Sequence, residues 1–134
     1  MINSKKDVFK PSRDYTTGVF FGFCAHYLSA GKVYYKFELE NESSLKYDIK
    51  DIYFTVRNKK NRNSSKSEKD IEITKNLTNI KMINGLTTRN LIYEFEPFSI
   101  GKDEEMIINI KEQDGSRDLT IGIPYYIINQ PIKL

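Results

Sequence analysis

Val33–Glu40 reads VYYKFELE, and its alternation decides the fold. Val33, Tyr35, Phe37 and Leu39 share one face, while Tyr34, Lys36, Glu38 and Glu40 share the other. A period of two is the signature of a strand with one buried and one wet face; an amphipathic helix would place apolar residues at i, i+3, i+4 and i+7. The pattern repeats outward along the chain. Ile52, Phe54 and Val56 alternate with Tyr53, Thr55 and Arg57, and Leu91, Tyr93 and Phe95 alternate with Ile92 and Glu94. Met106, Ile108 and Ile110 form a further inward set, as do Leu119, Ile121 and Ile123. Val19–Leu28 is apolar on both faces, which predicts either a strand buried on both sides or an edge covered by another element, and Ile71 and Ile73 predict a short strand reaching towards Leu77.

Turn signals divide these segments: Ala30-Gly31, Asn41–Asp48, Asn84-Gly85, Gly101-Lys102-Asp103 and Asp114-Gly115. Seven strands with no convincing helix predict a single antiparallel β-sandwich of immunoglobulin-like size, with a small closed barrel as the alternative. A chain of 134 residues fits one domain. Residues 1–17 read as a flexible polar arm or linker, 18–134 as the sandwich, and 124–134 as a C-terminal strap.

Composition removes several function classes. No apolar run approaches the ~18 residues of a membrane-spanning helix. One cysteine, Cys24, and one histidine, His26, cannot supply the usual multi-ligand metal sites, and no cofactor is implied. The polar start, MINSKKDVFKPSRDY, has no apolar signal region; the expectation is either a cytosolic protein or a fragment of a longer exported one.

The formal charge of +3 is uneven. Arg57, Lys59, Lys60, Arg62, Lys66 and Lys69 stand against Glu68 alone, so this stretch carries +5 and the remainder −2. Such a loop is a candidate polyanion contact, and exposed tyrosines could add stacking platforms for a nucleic-acid module. The competing reading is a solvated hairpin loop, which the Ser and Asn content favours. A carbohydrate-binding sandwich has only tyrosine platforms in its support, and Trp is absent.

Signals for catalysis are weak. Cys24 and His26 are two apart on a strand and so are expected on one face, yet a packed cysteine beside a half-wet histidine is the ordinary arrangement. Asp103-Glu104-Glu105 sits in a turn, where solvated charge is the default. P-loop, GxGxxG and GxSxG patterns are missing from the sequence. The expectation is a protein that is not an enzyme.

One ordered set of residues carries a resemblance. Tyr35-x-Phe37-x-Leu39-x-Asn41-x-Ser43 is followed by Tyr47-Asp48-Ile49, Phe54-x-Val56, Asn58-Lys59-Lys60, Phe95-x-x-Phe98-x-Ile100 and Glu112-x-x-Gly115-x-Arg117-x-Leu119. This series resembles the carboxy-terminal domain of the TraN family of Bacteroides-type conjugative transposons. Ser116 stands where that family has a second glycine, and the tail Pro124–Leu134 departs from its pattern. The resemblance implies a structural component of a type IV secretion core, periplasmic or outer-membrane-associated, packing with other conjugation proteins, in a ring and with a small lipoprotein. Each matched piece also has a local reason. Asn41 and Ser43 end a strand, Tyr47 is tied by its hydroxyl, Gly115 permits a hairpin, and Arg117 pairs with Glu112 as an exposed salt bridge. The candidate interaction surface is Tyr34, Tyr53, Tyr125, Tyr126, Ile127 and Ile128. The tail is expected either to offer that surface or to pack on its own sandwich.

Overall fold

The computed structural model describes residues 12–59 and 68–134. Two antiparallel sheets pack face to face, as the alternation predicts. The first contains β1 (Arg13–Thr16), β2 (Val19–Ser29), β3 (Lys32–Asn41), β8 (Thr87–Phe95) and β6 (Lys75–Asn76), hydrogen-bonded in that order. The second runs β10 (Leu119–Pro124), β9 (Glu104–Glu112), β4 (Tyr47–Asn58) and β5 (Glu68–Asp70), with β7 (Met82–Ile83) pairing the start of β4.

The inward residues named by periodicity make the core. Tyr35, Phe37, Leu39, Leu91, Tyr93 and Phe95 come from the first sheet and Phe54, Val56, Met106, Ile108, Ile110, Leu119, Ile121 and Ile123 from the second; all are buried. Aromatic rings join the layers: Phe54 meets Phe95 edge-on at 4.9 Å and Tyr93 at 5.3 Å. Burial pushes the Tyr93 hydroxyl up to about 12, and the Tyr35 hydroxyl is raised by the same cause.

Four expectations need correction. Arg13–Thr16, inside the expected flexible arm, is a strand paired to Val19–Gly22. Thr17 and Gly18 both take positive φ, 40° and 85°, and make the tight turn that joins them. Ser12 and Asp14 then reach across to the second sheet: Ser12 Oγ donates to the Gly122 carbonyl at 3.0 Å and the Thr120 amide donates to Asp14 at 2.8 Å. These side chains cap the edge of β10, a device that blunts strand-to-strand aggregation.

Second, a bulge between Phe23 and Ala25 shifts the register of β2, so His26 pairs with Tyr35 and enters the core at 3% exposure. The expected shared face of Cys24 and His26, with the imidazole half wet, is therefore replaced by a buried histidine beside an intermediate cysteine. Third, Ile71 and Ile73 pack on the core but lie outside any strand; the chain here crosses from β5 in one sheet to β6 in the other. Fourth, Tyr125–Ile128 is a short helix, α1, where no helix was expected. It leads to β11 (Ile132–Lys133), which pairs parallel to Tyr27 and Leu28 of β2. Between them, these elements make the tail a strap on its own sandwich.

Candidate functional site

The densest polar cluster closes one end of the sandwich. β3 ends at Asn41, whose buried side chain rebuilds the backbone turn: Oδ1 accepts from the Ser43 amide at 3.0 Å and its hydroxyl at 2.6 Å, and Nδ2 donates to the Leu45 carbonyl at 2.7 Å. Arg117, from the loop after β9, lies over the Tyr47 ring with its guanidinium carbon 5.3 Å from the centroid. Its Nε donates to both Glu112 carboxylate oxygens at 3.2 and 3.1 Å, and its Nη2 to Oε2 at 2.7 Å. Nη1 donates to Ser43 Oγ at 3.1 Å and Nη2 also to the Lys46 carbonyl at 2.8 Å. Tyr47 returns its hydroxyl to the Arg117 carbonyl at 2.7 Å.

The expected exposed Glu112–Arg117 pair is thus a sequestered one, with side-chain exposures of 9% and 12%. The guanidinium hydrogen bond holds the Glu112 carboxyl below the usual carboxylate range. Nearby glycines serve this closure by leaving room. A Cβ at Gly115 would sit 2.3 Å from Glu112 Oε1, and one at Gly85 would sit 2.7 Å from the Ser43 carbonyl oxygen. At the Asp114-Gly115 turn the positive φ falls on Asp114, so Gly115 is needed for space rather than for its dihedral angle. With Arg117 donating from Nε, Nη1 and Nη2, this cluster acts as a staple; its guanidinium is already committed.

The opposite end is closed by the strap. The His26 Nε2–H donates to the Ile128 carbonyl at 3.1 Å, and the ring stacks on Tyr35 at 4.8 Å. Desolvation lowers the His26 pKa, outweighing the backbone hydrogen bonds that would raise it. Asn129 imitates a strand partner, accepting from the Ile100 amide and donating to its carbonyl, both at 2.9 Å.

The predicted surface residues do not form one patch. Tyr34 is half-buried on the outer face of the first sheet, where partial desolvation and Glu94 raise its pKa. Tyr53 is exposed on the outer face of the second sheet, donating to Asp51 at 3.1 Å. Tyr126 is exposed and Tyr125 and Ile127 are half-buried, but Ile128, at 1% exposure, belongs to the core and is corrected from interface to anchor. Of the basic set, Arg57 pairs with Glu105 at 3.4 Å, and Lys69 is exposed on β5 opposite Val56. The Lys59 amide donates to the Asp103 carbonyl at 2.8 Å; Lys60, Arg62 and Lys66 lie outside the described residues.

Sequence reasoning missed a hollow of about 250 Å³ on the outer face of the first sheet, lined by Arg13, Phe20, Phe21, Gly22, Glu38, Glu40 and Glu42. The signal lay in Thr17-Gly18, a turn that folds Arg13 back over Gly22. Among the described residues, no group of three or more His, Cys, Asp or Glu is placed to hold a metal ion, and no helix is long and apolar enough to cross a membrane.

Comparison with known families fixes the class of this chain. Residues 2–130 match the family described as Domain of unknown function (DUF4138), and the chain belongs to that family. No curated protein matches it.

Proposed function

We propose that this domain is a non-enzymatic assembly module of the envelope core of a conjugative transposon's type IV secretion apparatus. It joins proteins on the periplasmic or outer-membrane side and transforms no substrate. One observation carries the reading. Asn41 and Ser43, Tyr47, and Glu112, Gly115 and Arg117 are separate pieces of the TraN-like series, yet Arg117 bonds Ser43 across 74 residues of chain. Chance matches to alternating strands have no reason to meet at one knot, whereas residues kept for a common fold do.

The staple also suits a load-transmitting part. It ties the β9–β10 hairpin to the β3–β4 loop, so force applied at that end passes into both sheets rather than peeling one loop. The exposed Tyr126 on the strap, and Tyr34 and Tyr53 on opposite sheets, are available for contacts with different neighbours.

Deleting the coding region of the domain in a donor cell and measuring transfer frequency of its mobile element tests the reading. Transfer is expected to collapse and to return on complementation with the intact protein. In vivo cross-linking from Tyr126 is expected to capture envelope proteins of the same apparatus. Undiminished transfer would refute the proposal.

A further inference from the structure

Asn84-Gly85 is the one Asn-Gly pair in the chain, and it forms the bend between β7 and β8. Asn84 is exposed. Its backbone carbonyl accepts from the Thr87 hydroxyl at 2.6 Å, and among the described residues its side-chain amide has no hydrogen-bond partner. The Gly85 amide donates to no described group either. The bend is tied to the sandwich one residue later, where the Leu86 amide donates to the Ser43 carbonyl at 3.0 Å. Leu86 is exposed and holds a φ of 59°, a conformation that side chains rarely adopt, so rotation about the bend relaxes it.

These are the requirements of an intramolecular reaction. A backbone nitrogen beside a side-chain carboxamide meets it at high effective concentration. Glycine puts no Cβ in the way of that nitrogen and gives the backbone freedom to turn. A bulkier residue that would shield the bond has no room here, since a Cβ at Gly85 would stand 2.7 Å from the Ser43 carbonyl oxygen and 2.8 Å from the Ser44 carbonyl carbon. The glycine that the packing needs therefore leaves its own amide open to chemistry. We propose that Asn84-Gly85 is a self-modification site: it closes spontaneously to a succinimide, and the isoaspartyl chain that results loosens the Arg117 end of the sandwich.

Hydroxide removes the Gly85 amide proton, and the nitrogen bonds to Asn84 Cγ. The bond from Cγ to the side-chain nitrogen breaks, and that nitrogen takes a proton from water and leaves as ammonia. Water then opens the imide at either carbonyl. Breaking the new N–Cγ bond leaves an aspartate on the original backbone. Breaking the original peptide bond routes the chain through Cβ and Cγ and adds one carbon atom to it. Both products gain a negative charge, but only the second lengthens the bend. The added atom has no space against the Ser43 and Ser44 backbone, so the bend swings out and the Leu86–Ser43 bond is lost with it. Ser43 Oγ also accepts from Arg117 Nη1 at 3.1 Å, which carries a change in an exposed bend to the staple. With the ammonia gone, the reaction runs one way. It does not depend on the conjugative reading.

Ageing the full chain in mildly alkaline buffer, with peptide mapping by fragmentation that separates isoaspartate from aspartate, tests the site. The peptide holding Asn84 is expected to show the small mass gain of NH2 replaced by OH. It should do so at least about tenfold faster than the peptides holding Asn90 and Asn109, which precede Leu91 and Ile110. The rate should rise with pH, as deprotonation of the Gly85 amide requires. The isoaspartyl fraction is expected to unfold at lower urea than fresh chain and to exchange its Leu86 amide faster, with Leu134 unchanged. Asn84→Gln should keep the fresh midpoint and abolish the change at this peptide, because its longer side chain closes a larger ring slowly. Fresh Asn84→Asp carries the charge without the added atom and should also keep the midpoint. An Asn84 peptide that stays unmodified in the folded chain overturns the proposal, including when it changes in urea. So does an isoaspartyl chain with the midpoint and Leu86 exchange of fresh protein, or a fresh Asn84→Asp chain as loose as the aged one. None of these outcomes touches transfer frequency, so this site and the envelope-assembly role fail separately.

Discussion

The two ends of the sandwich solve one problem with different chemistry. At each end the sheets part and leave backbone groups and aromatic edges facing water. The Arg117 end is closed by a charged, bidentate pair and a cation stacked on Tyr47. The His26 end is closed by neutral groups, an imidazole and an amide, delivered by a strap from the chain terminus. A charge-assisted closure is strong and tolerates little, because a lost partner leaves a sequestered charge. A neutral closure loses less when cut, and its two-residue strand β11 is exposed along its length. The molecule therefore has one rigid end and one end whose cover is lightly held.

The comparison breaks most visibly at Arg117. Arg117→Ala should cost about 2–4 kcal/mol in urea denaturation, since it strands Glu112 and frees the Ser43 loop together. Gly85→Ala should cost about 2–3 kcal/mol, because its Cβ would press on the Ser43 and Ser44 backbone rather than on a side chain that can swing away. Asn129→Ala, at the other end, should cost only about 1–2 kcal/mol through the two lost bonds to Ile100. Its larger signature is faster hydrogen exchange at Ile100 and Leu134, leaving the Arg117 end unchanged. If Asn129→Ala proves as damaging as Arg117→Ala, the contrast between the ends is wrong.

Acid sharpens the contrast by order of loss. His26 has a folded pKa below 6.5, so its contribution is complete above pH 6.5 and declines as pH falls from there towards the folded value. Glu112 has a folded pKa below 4.5, so its contribution is kept above that pH and lost only as pH falls further, through the folded value. Exchange at Leu134 is expected to quicken in mild acid before exchange at Arg117 does. His26→Gln should remove the first step alone. Simultaneous loosening of both ends would remove the distinction.

Much of this was readable residue by residue. Alternation named the buried face of β3, β8, β9 and β10 because a pleated strand forces successive side chains to opposite sides. Ala30-Gly31 marked a hairpin through local dihedral needs, both residues taking positive φ, whereas at Asp114-Gly115 the positive φ falls on Asp114. The bulge in β2 was not readable, since one extra residue inverts the faces beyond it without any change in composition. That inversion took His26 from a half-wet position into the core. The sites were less legible than the fold. Tyr34 and Tyr53 shared a polar-face label, yet they point away from opposite sheets. Ile128 looked like surface because a short helix has no two-residue period.

By itself, then, the sequence determined the layers: the long strands β3, β4, β8, β9 and β10, the side each buries, and where a surplus of positive charge is carried. Those follow from local rules, a pleat of two and a turn of few residues. The tertiary structure alone decided the partnerships. Whether Glu112 and Arg117 form an exposed pair or a sequestered staple depends on Tyr47 and Ser43, contributed by chain some seventy residues away. Whether Glu38 and Glu40 are ordinary surface acids depends on a turn at Thr17-Gly18 that folds β1 beside them. Contacts between residues distant in sequence are set by how sheets twist and pack, and no window along the chain contains them.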